Sequence, residues 1–409
     1  MQTHLSPEFA GTAEGAEAEA ILRKCVHCGF CTATCPTYQL LGDELDGPRG
    51  RIYLIKQVLE GEQPTEKTQL HLDRCLTCRN CESTCPSGVQ YGQLVDIGRR
   101  IVEEKVPRGS GSKALRWALK EGLTSPVFGP AMKLGQAVRG VLPGALKAKV
   151  PARRSGGEWP TRQHARKVLL LEGCVQPSMA PNINAATARV LDAVGIQTVI
   201  ASEAGCCGAV KFHLNDQQGG LEQMRRNIDA WWPYVERGEV EALVMNASGC
   251  GVTVREYGHH LRHDTRYAQK AARIGELTRD LSELLPDLVP ALQERVRPHA
   301  GVLAYHPPCT LQHGQKLRGG VESQLRRLGF NVQVAVNESH LCCGSAGTYS
   351  VLHPDIATQL RDRKLGHLDA LQPSAVLSAN IGCITHLQSG TGLPVRHWVE
   401  VLDDALHRA

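Results

Sequence analysis

The sequence predicts a chain of two fold classes: a helical domain, followed by an open α/β domain that occurs twice. Three observations predict this. Eight of the sixteen cysteines fall between residues 25 and 85, in segments with helical periodicity. The other eight form two sets of four, and the matching members of the two sets are 133 to 136 residues apart. Around each set, short apolar runs alternate with helical patterns, as they do in α/β layers.

Length and composition exclude several protein classes. The 409 residues exceed one ordinary domain, and 42% hydrophobic with 21% charged residues is a globular composition. No stretch has the roughly 18 consecutive apolar residues of a membrane span, and the N-terminus lacks the basic start and apolar core of a signal peptide. We therefore expect a cytoplasmic protein whose cysteines are metal ligands or redox groups rather than disulfides.

The first predicted domain, residues 1–105, is helical. Residues 6–8, Ser-Pro-Glu, are a typical helix start, with a capping hydroxyl and a proline in the first turn. Residues 51–60 have helical periodicity, and residues 91–104 have it again after the second cysteine group. We expect a small helical domain that wraps around bound cofactors.

The eight early cysteines form the same run twice, Cys-x2-Cys-x2-Cys-x3-Cys-Pro. This is the bacterial ferredoxin run, in which the fourth cysteine of each run ligates the other of two [4Fe-4S] clusters. Zinc is the weaker alternative, because zinc sites use paired Cys-x2-Cys arms rather than triple runs closed by Cys-Pro. The predicted ligands are therefore crossed: Cys25, Cys28, Cys31 and Cys85 for cluster 1, and Cys75, Cys78, Cys81 and Cys35 for cluster 2.

Residues 106–166 form the second predicted segment, a basic linker with short helices. From residue 108 to residue 167 the chain has thirteen Lys or Arg and two acidic residues. Residues 113–123 and 131–142 have amphipathic helical patterns. A solvated linker is one interpretation, and a basic surface for anionic lipid or an acidic partner is the other. Without zinc-finger, RNP or helix-turn-helix signatures, we expect no nucleic-acid binding.

Residues 167–297 and 298–409 are predicted to be the two copies of the α/β domain. In each copy an apolar run ends at the first cysteine, a second strand leads to Cys-Cys-Gly, and a third leads to the last cysteine. The carboxyl ends of parallel strands form the ligand-binding edge of open α/β sheets. We therefore expect the four thiols of each copy to lie at that edge.

These eight cysteines are candidate ligands of a further cluster or metal, or else redox thiols. Their near-constant spacing argues against accidental cysteines, although Cys is commonly just a small buried residue. The glycine after each vicinal pair lets the backbone approach a buried group closely. The candidates are Cys174, Cys206, Cys207 and Cys250 in the first copy, and Cys309, Cys342, Cys343 and Cys383 in the second.

Histidines concentrate in the second copy, so the two copies are not chemically equal. His306, His313, His340 and His386 lie there, and the first copy lacks most of them at matching positions. We expect each of them to be a hydrogen-bonded scaffold residue.

The chain has no motif of an organic reaction centre. It lacks G-x-G-x-x-G after a strand, G-x-x-x-x-G-K-[ST] and H-E-x-x-H. We therefore expect no catalytic residue and no flavin in this chain, and no activity of the chain alone. The two-electron donor is expected in another chain.

Together these motifs resemble the iron–sulfur subunits of flavin-dependent 2-hydroxyacid and glycerol-phosphate dehydrogenases, and the cysteine-rich subunit of heterodisulfide reductase. Residues 25–61, 72–91, 203–210, 226–233 and 340–349 look most like the iron–sulfur subunits of bacterial glycolate oxidases. The resemblance implies a complex in which FAD-binding subunits oxidise glycolate to glyoxylate, while this chain passes electrons to quinone or another acceptor. A quinone acceptor further implies a peripheral contact with the inner face of the cell membrane.

One departure from the resemblance concerns the last motif element. In heterodisulfide reductase this element is Cys-x2-Cys, and five thiolates hold a non-cubane cluster. Here the matching positions begin with Ala247 and Asn380, so one thiolate per copy is missing. This argues against a heterodisulfide-reductase-like thiol/disulfide enzyme. Equivalent subunits of lactate or glycerol-3-phosphate dehydrogenases remain an alternative, because the substrate is chosen by another chain.

Overall fold

The first hundred residues are helical, as the sequence predicts. The computed structural model describes residues 1–144 and 150–406. The expected helix start at residues 6–8 is wrong: that segment forms a turn, and the helix begins after Thr12, whose Oγ1 accepts from the Gly15 amide. The helices are Ala13–Lys24, Phe30–Ala33, Pro36–Leu41, Pro48–Leu59, Glu66–Asp73, Asn80–Thr84 and Tyr91–Lys105, with a 3-10 turn at Glu44–Asp46.

Two of these helices, Pro48–Leu59 and Tyr91–Lys105, form the centre of the helical domain's core. They approach closely at Gly98, where an added Cβ would lie 2.5 Å from Cγ1 of Ile55. Their buried faces carry Ile, Leu and Val side chains at helical spacing, which is why the sequence periodicity identified both. The cysteine runs are connected to these helices and are packed against this core.

The basic segment forms helices that bridge the helical domain and the first sheet. They are Ser110–Thr124 and Phe128–Ala137, followed by a 3-10 turn at Arg139–Val141. Arg116 Nη2 contacts Asp73 Oδ2 of the helical domain at 2.9 Å, and Lys120 Nζ lies 3.1 Å from Asp216 Oδ2 near the first sheet. Part of the positive charge is therefore neutralised internally. Residues 145–149 of the predicted linker lie outside the described residues.

Within residues 150–406, the strands form two four-stranded parallel sheets with the same topology. The order is β2-β1-β3-β4 in the first sheet and β6-β5-β7-β8 in the second. The fourth strand of each sheet was not predicted, because it has three residues and leads directly into a helix. The strands are β1 Arg166–Leu170, β2 Ile196–Val199, β3 Ala242–Met245, β4 Thr278–Asp280, β5 Leu303–Tyr305, β6 Val332–Gln333, β7 Ala375–Ser378 and β8 Val395–His397.

Strand register confirms the duplication. Val168 pairs with Ala242 in the first sheet, and Leu303 pairs with Ala375 in the second. The spacing between these equivalent residues is the spacing between the matching cysteines. The two α/β units are therefore copies of one arrangement, called here the first and second repeat.

Helices cover the sheets and join the repeats into one core. Arg189 Nη2 donates to Asp403 Oδ2 at 2.6 Å across the contact between Pro181–Ala193 and Trp398–Leu406. The helices of the first repeat are Gln176–Met179, Pro181–Ala193, Ala209–His213, Gln217–Glu236, Ser248–Arg255, Tyr257–His260, Ala268–Leu277 and Leu281–Leu292. Those of the second are Thr310–Gly314 (a π-helix), Gly320–Arg327, Tyr349–Leu352, Pro354–Asp369, Ile381–Gln388 and Trp398–Leu406.

Within residues 1–144 and 150–406, no helix combines the length and the hydrophobicity that crossing a bilayer needs.

Candidate metal centres

The two ferredoxin-type runs fold in the same way. The second residue after the first cysteine has a positive φ in both, 55° at His27 and 50° at Thr77. So does the residue after the second cysteine, with 83° at Gly29 and 58° at Arg79. Such left-handed residues are uncommon outside glycine. Their recurrence at equivalent positions indicates that the same loop is formed twice around its cysteines.

The first site lies at the surface of the helical domain. Its four cysteines, Cys25, Cys28, Cys31 and Cys85, line one cavity, so the structure brings together the set that the sequence assigns to cluster 1. Cys81 of the second run also borders this cavity. Cys28 is exposed, whereas Cys25 is buried. A cavity lined by four thiols fits the donor set of a [4Fe-4S] cluster.

The second site lies deeper. Cys78 and Cys81 both have Cys35 of the first run as an electrostatic neighbour, so the fourth thiol again comes from the other run. Cys35, Cys75 and Cys81 are buried. Here too the residues fit a cluster with cysteine ligands.

Burial has an electrostatic consequence for these thiols. It raises the pKa of Cys31 to about 11, and it raises the pKa of Cys78 and Cys81 well above the usual value. Thiolate is the metal-binding form, so iron binding must release these protons and supply the positive charge that replaces them.

A buried ion-pair network beside the second site was missed by the sequence analysis. Arg51 is 1% exposed, and its Nη2 donates to Oδ1 of the fully buried Asp46 at 3.4 Å. Arg74 Nη1 donates to the other oxygen of Asp46 at 2.8 Å. The Arg51 charge acts on the Cys35 and Cys75 thiols. The signal available in the sequence was Arg51 on the apolar face of the helix Pro48–Leu59, five residues after Asp46.

The four cysteines of the first repeat lie at the carboxyl edge of its sheet. Cys174 follows β1, the vicinal pair Cys206 and Cys207 follows β2, and Cys250 follows β3. Their side chains form a continuous series of neighbours, in that order. Hydrogen bonds from Cys174 and Cys207 hold the pKa of Cys206 well below its usual range.

The second repeat brings its four cysteines together in the same way. Cys309 neighbours Cys342, which neighbours Cys343, which neighbours Cys383. Asn380 Nδ2 donates to Cys383 Sγ at 3.7 Å. All four thiols are buried.

The histidines of the second repeat lie in different environments. His313 Nε2 donates to the His340 carbonyl at 2.8 Å, and His386 Nε2 donates to the Ala357 carbonyl at 3.1 Å, so these two are hydrogen-bonded scaffold residues. His306 differs from these two, because its nearest polar neighbour is the thiol of Cys343 rather than a carbonyl. It is 1% exposed, and within the described residues neither ring nitrogen has an oxygen or nitrogen hydrogen-bond partner.

The second repeat packs directly against the second ferredoxin-type run. Cys309 and Cys342 share an apolar cluster with Leu76 and Cys78. Tyr349 of this repeat also donates its hydroxyl hydrogen to the Arg74 carbonyl at 3.0 Å. The thiols of the second repeat are therefore adjacent to the second ferredoxin-type site.

Comparison with known families identifies both parts of the chain. The profile described as "4Fe-4S dicluster domain" matches residues 21–89. The profile described as "Cysteine-rich domain" matches twice, at residues 168–255 and 303–388. These ranges contain all sixteen cysteines.

Curated relatives match along most or all of the chain. The "Glycolate oxidase iron-sulfur subunit" of Escherichia coli (strain K12) is 56% identical over 410 residues, which cover 100% of both chains. The "Probable glycolate oxidase iron-sulfur subunit" of Bacillus subtilis (strain 168) is 29% identical over 91% of this chain and 89% of that protein. The "Lactate utilization protein A" of Geobacillus thermodenitrificans (strain NG80-2) is 25% identical over 58% of this chain and 98% of that protein.

Proposed function

The chain belongs to the family of glycolate oxidase iron–sulfur subunits, and on that basis we propose that it carries electrons away from FAD-binding partner subunits that oxidise glycolate. The observation that carries this proposal is the 56% identity over the full length of both chains. Oxidation of glycolate to glyoxylate releases two electrons and two protons. When bound, [4Fe-4S] clusters accept and donate electrons one at a time, which suits a chain that takes electrons from a flavin.

Two clusters are proposed, with crossed ligands. Each uses three cysteines of one run and the last cysteine of the other: Cys25, Cys28, Cys31 and Cys85 for the first, and Cys75, Cys78, Cys81 and Cys35 for the second. The lining of the surface cavity and the position of the Cys35 thiol beside the second run support this assignment.

The proposed domain division follows the elements and the family matches. Residues 1–105 are the cluster-binding domain, residues 106–166 the basic linker, and residues 167–297 and 298–409 the two repeats. Each family match lies within one of these ranges. The cysteines of the repeats are proposed as a further metal or redox site.

The surface beside the first cluster site is proposed as the docking site of the FAD-binding subunits. Val26 is 68% exposed and Phe30 is 60% exposed, and both line the cavity that contains the exposed Cys28. Apolar side chains around an accessible metal site favour a desolvated contact across which electrons can pass.

Val26→Glu with Phe30→Glu should slow reduction by the partner subunits without loss of iron. Val336→Glu is the control, because Val336 is 93% exposed and lies in the second repeat.

Quinone is the proposed final acceptor, which requires contact with a bilayer. The basic segment supports this, because Trp117 is 63% exposed and Leu134 is 67% exposed beside the exposed Lys113 and Lys133. Each such lysine contributes about 1 kcal/mol near an anionic leaflet, and salt screens it. Arg116 is a poorer probe, since it pairs with Asp73.

Vesicle sedimentation of the assembled complex tests the membrane contact. Trp117→Glu with Leu134→Glu should release the complex from anionic vesicles at low salt while the FAD-binding subunits stay bound. If the variant keeps vesicle binding but loses those subunits, the basic segment is a protein-docking surface instead.

The central experiment is purification of the chain with its partners, identification of the partners by mass spectrometry, and a substrate screen on the complex. We expect flavin in the partners, turnover of glycolate by the complex, and none by this chain alone. Lactate is the second candidate substrate, because relatives named lactate utilization protein A match 58% of the chain. Turnover of lactate without turnover of glycolate would favour that candidate.

A further inference from the structure

The second repeat has a compact group of donors that differs from every other cysteine set in the chain. We propose that His306, Cys343 and Cys383 bind a single zinc ion, with a fourth thiolate from the adjacent pair Cys309 and Cys342. The proposal stands on the second repeat alone and does not depend on the substrate of the complex.

Spacing of the donor atoms favours one ion rather than a cluster. One nitrogen of His306 and the sulfurs of Cys343 and Cys383 all lie within 4.8 Å of one another. Around tetrahedral zinc, with bonds of about 2.0 to 2.3 Å, donor atoms are roughly 3.3 to 3.8 Å apart, so a small adjustment completes the site. Neither the eight ferredoxin-type cysteines nor the four cysteines of the first repeat, all within the described residues, include three donor atoms that lie within 4.8 Å of one another.

Burial of His306 points to a ligand. The imidazole is 1% exposed, and both ring nitrogens lack an oxygen or nitrogen partner within the described residues. The Cys343 thiol is a weak hydrogen-bond partner and can serve one ring nitrogen at most, so the imidazole is left incompletely satisfied, and an unsatisfied buried polar group costs on the order of 1–3 kcal/mol. Zinc coordination would remove that cost, since a neutral imidazole nitrogen is one of the preferred donors for this ion.

The charge around the group also fits a zinc ion. Three thiolates and a neutral imidazole around Zn²⁺ carry one net negative charge, and a buried charge needs a counter-charge. Lys364 provides it: the side chain is 3% exposed, and its charge acts on Cys309, Cys343 and Cys342. Its ammonium donates to the Glu338 carbonyl, which fixes its position.

The first repeat lacks the histidine. His306 follows β5 directly, and the residue that follows β1 directly is Leu171. The register of the two sheets and the equal spacing to Cys174 and Cys309 make these positions equivalent.

The first repeat also lacks a counterpart of Lys364. An added Cβ at Gly208 would contact Met224, and one at Gly344 would contact Leu360, which makes those two residues equivalent. Four residues further along each helix lie Ile228 and Lys364. The first repeat therefore keeps the four cysteines but has apolar side chains at the two positions where the second has the histidine and the counter-charge.

The position of the zinc site suggests its role. Cys309 and Cys342 pack against Leu76 and Cys78 in one apolar cluster. An ion that fixes the thiols of the second repeat would hold the loop that carries Cys78. Zinc has no redox chemistry, so this role is structural rather than a step in electron transfer.

Metal analysis of the full-length chain, purified anaerobically with its clusters, tests the proposal. We expect about one zinc per chain in addition to the iron, and zinc-edge X-ray absorption should report both nitrogen and sulfur ligands. The zinc-edge X-ray absorption spectrum of the wild-type protein therefore tests the proposed nitrogen and sulfur ligands, and no variant is needed for this test.

Variants then assign the ligands. His306→Leu, which reproduces the first repeat, and Cys383→Ser should lose zinc and keep the iron of both ferredoxin-type sites. His306→Cys should retain zinc through a fourth thiolate. Lys364→Met should weaken zinc binding by about 10- to 100-fold in a chelator competition, as loss of a supporting group around the ligands does.

Cys174→Ser and Cys250→Ser in the first repeat are the matched controls and should retain zinc. The proposal is wrong if His306→Leu retains zinc, or if the controls lose it equally. It is also wrong if the wild-type protein holds no zinc and instead has about four irons beyond the roughly eight of two ferredoxin-type clusters.

Discussion

Replacement of Arg51 by methionine should strongly destabilise the helical domain. The guanidinium is almost fully buried and satisfies three groups at once. Its Nε donates to the His71 carbonyl at 2.6 Å, its Nη1 to Thr37 Oγ1 at 3.2 Å, and its Nη2 to Asp46 Oδ1 at 3.4 Å. Methionine fills a similar volume but makes none of these hydrogen bonds. The loss of stability therefore reports the contribution of the positive charge and of the hydrogen-bond donors, rather than that of packing.

The magnitude follows from what the substitution leaves behind. Asp46 has no solvent access, and its remaining partners are Arg74 at 2.8 Å and His71 Nδ1 at 3.1 Å. Removal of one partner from a buried ion pair costs about 3 to 5 kcal/mol, because the other charge stays buried. For a domain of about 100 residues, that loss corresponds to a decrease in melting temperature of roughly 12 to 40 °C.

Thermal melts of the anaerobic protein at one scan rate measure this effect. Arg23→Met is the matched control: Arg23 forms an i,i+4 pair with Glu19, but its side chain is 65% exposed, so a loss of about 0.3 to 0.5 kcal/mol is expected. A decrease for Arg51→Met that is no larger than the control's would refute the reasoning. A second readout is the reduction potential of the second cluster, which should fall, because a nearby positive charge that favours the reduced state has been removed.

Two further predictions concern ligation and pH. The electron paramagnetic resonance spectrum of Cys35→Ser should match that of Cys78→Ser rather than that of Cys28→Ser; the opposite match would mean that the ligands are not crossed. Burial raises the pKa of Asp280 to about 6, above its usual 3.8, so the folded state holds this proton more tightly. The contribution of Asp280 to stability is therefore present below about pH 4 and is lost, by about 3 kcal/mol, as the pH rises through 6. The melting temperature of the wild type relative to Asp280→Asn should fall over this range, and a constant difference would contradict the assignment.

Much of the helical domain could be predicted because local sequence determines it. The helices around Ile55 and Gly98 have strong apolar periodicity, and the proline after each cysteine run is a local signal. The failure at residues 6–8 has a local cause as well. Ser-Pro-Glu has the composition of a helix start, but Thr12 is the residue whose hydroxyl caps the helix. The capping signal therefore predicted a helix in this part of the chain correctly, but it placed the start at residues 6–8 instead of after Thr12.

The repeats were predictable for another reason, namely comparison of the chain with itself. The near-constant spacing of the cysteines, 133 to 136 residues, revealed the duplication from the sequence alone. The short fourth strands were missed, since β4 and β8 each have three residues and carry charged side chains such as Arg279 and Arg396. These strands form because they pair with β3 and β7. The local sequence does not indicate that pairing, so it could not predict the strands.

Side-chain environment was the least predictable property. His306, His313 and His386 are equivalent in a sequence, and each is most simply a hydrogen-bonded scaffold residue. Only the fold separates them, because it gives His313 and His386 carbonyl acceptors and leaves His306 facing thiols. Residue-by-residue comparison with the first repeat, where Leu171 takes this position, was the signal that could have singled out His306.

The two ferredoxin-type runs also illustrate how one motif acquires two environments. The first run has Cys28 exposed beside exposed apolar residues, whereas the second run is covered by the second repeat through Leu76 and Cys78. Burial disfavours the additional negative charge of a reduced cluster, so identical ligand sets would differ in reduction potential on this ground alone. Arg51 opposes that trend, because its buried charge lies beside Cys35 and Cys75. A positive charge at that position would favour the reduced state of a cluster bound there, and would therefore offset part of the effect of burial on its reduction potential.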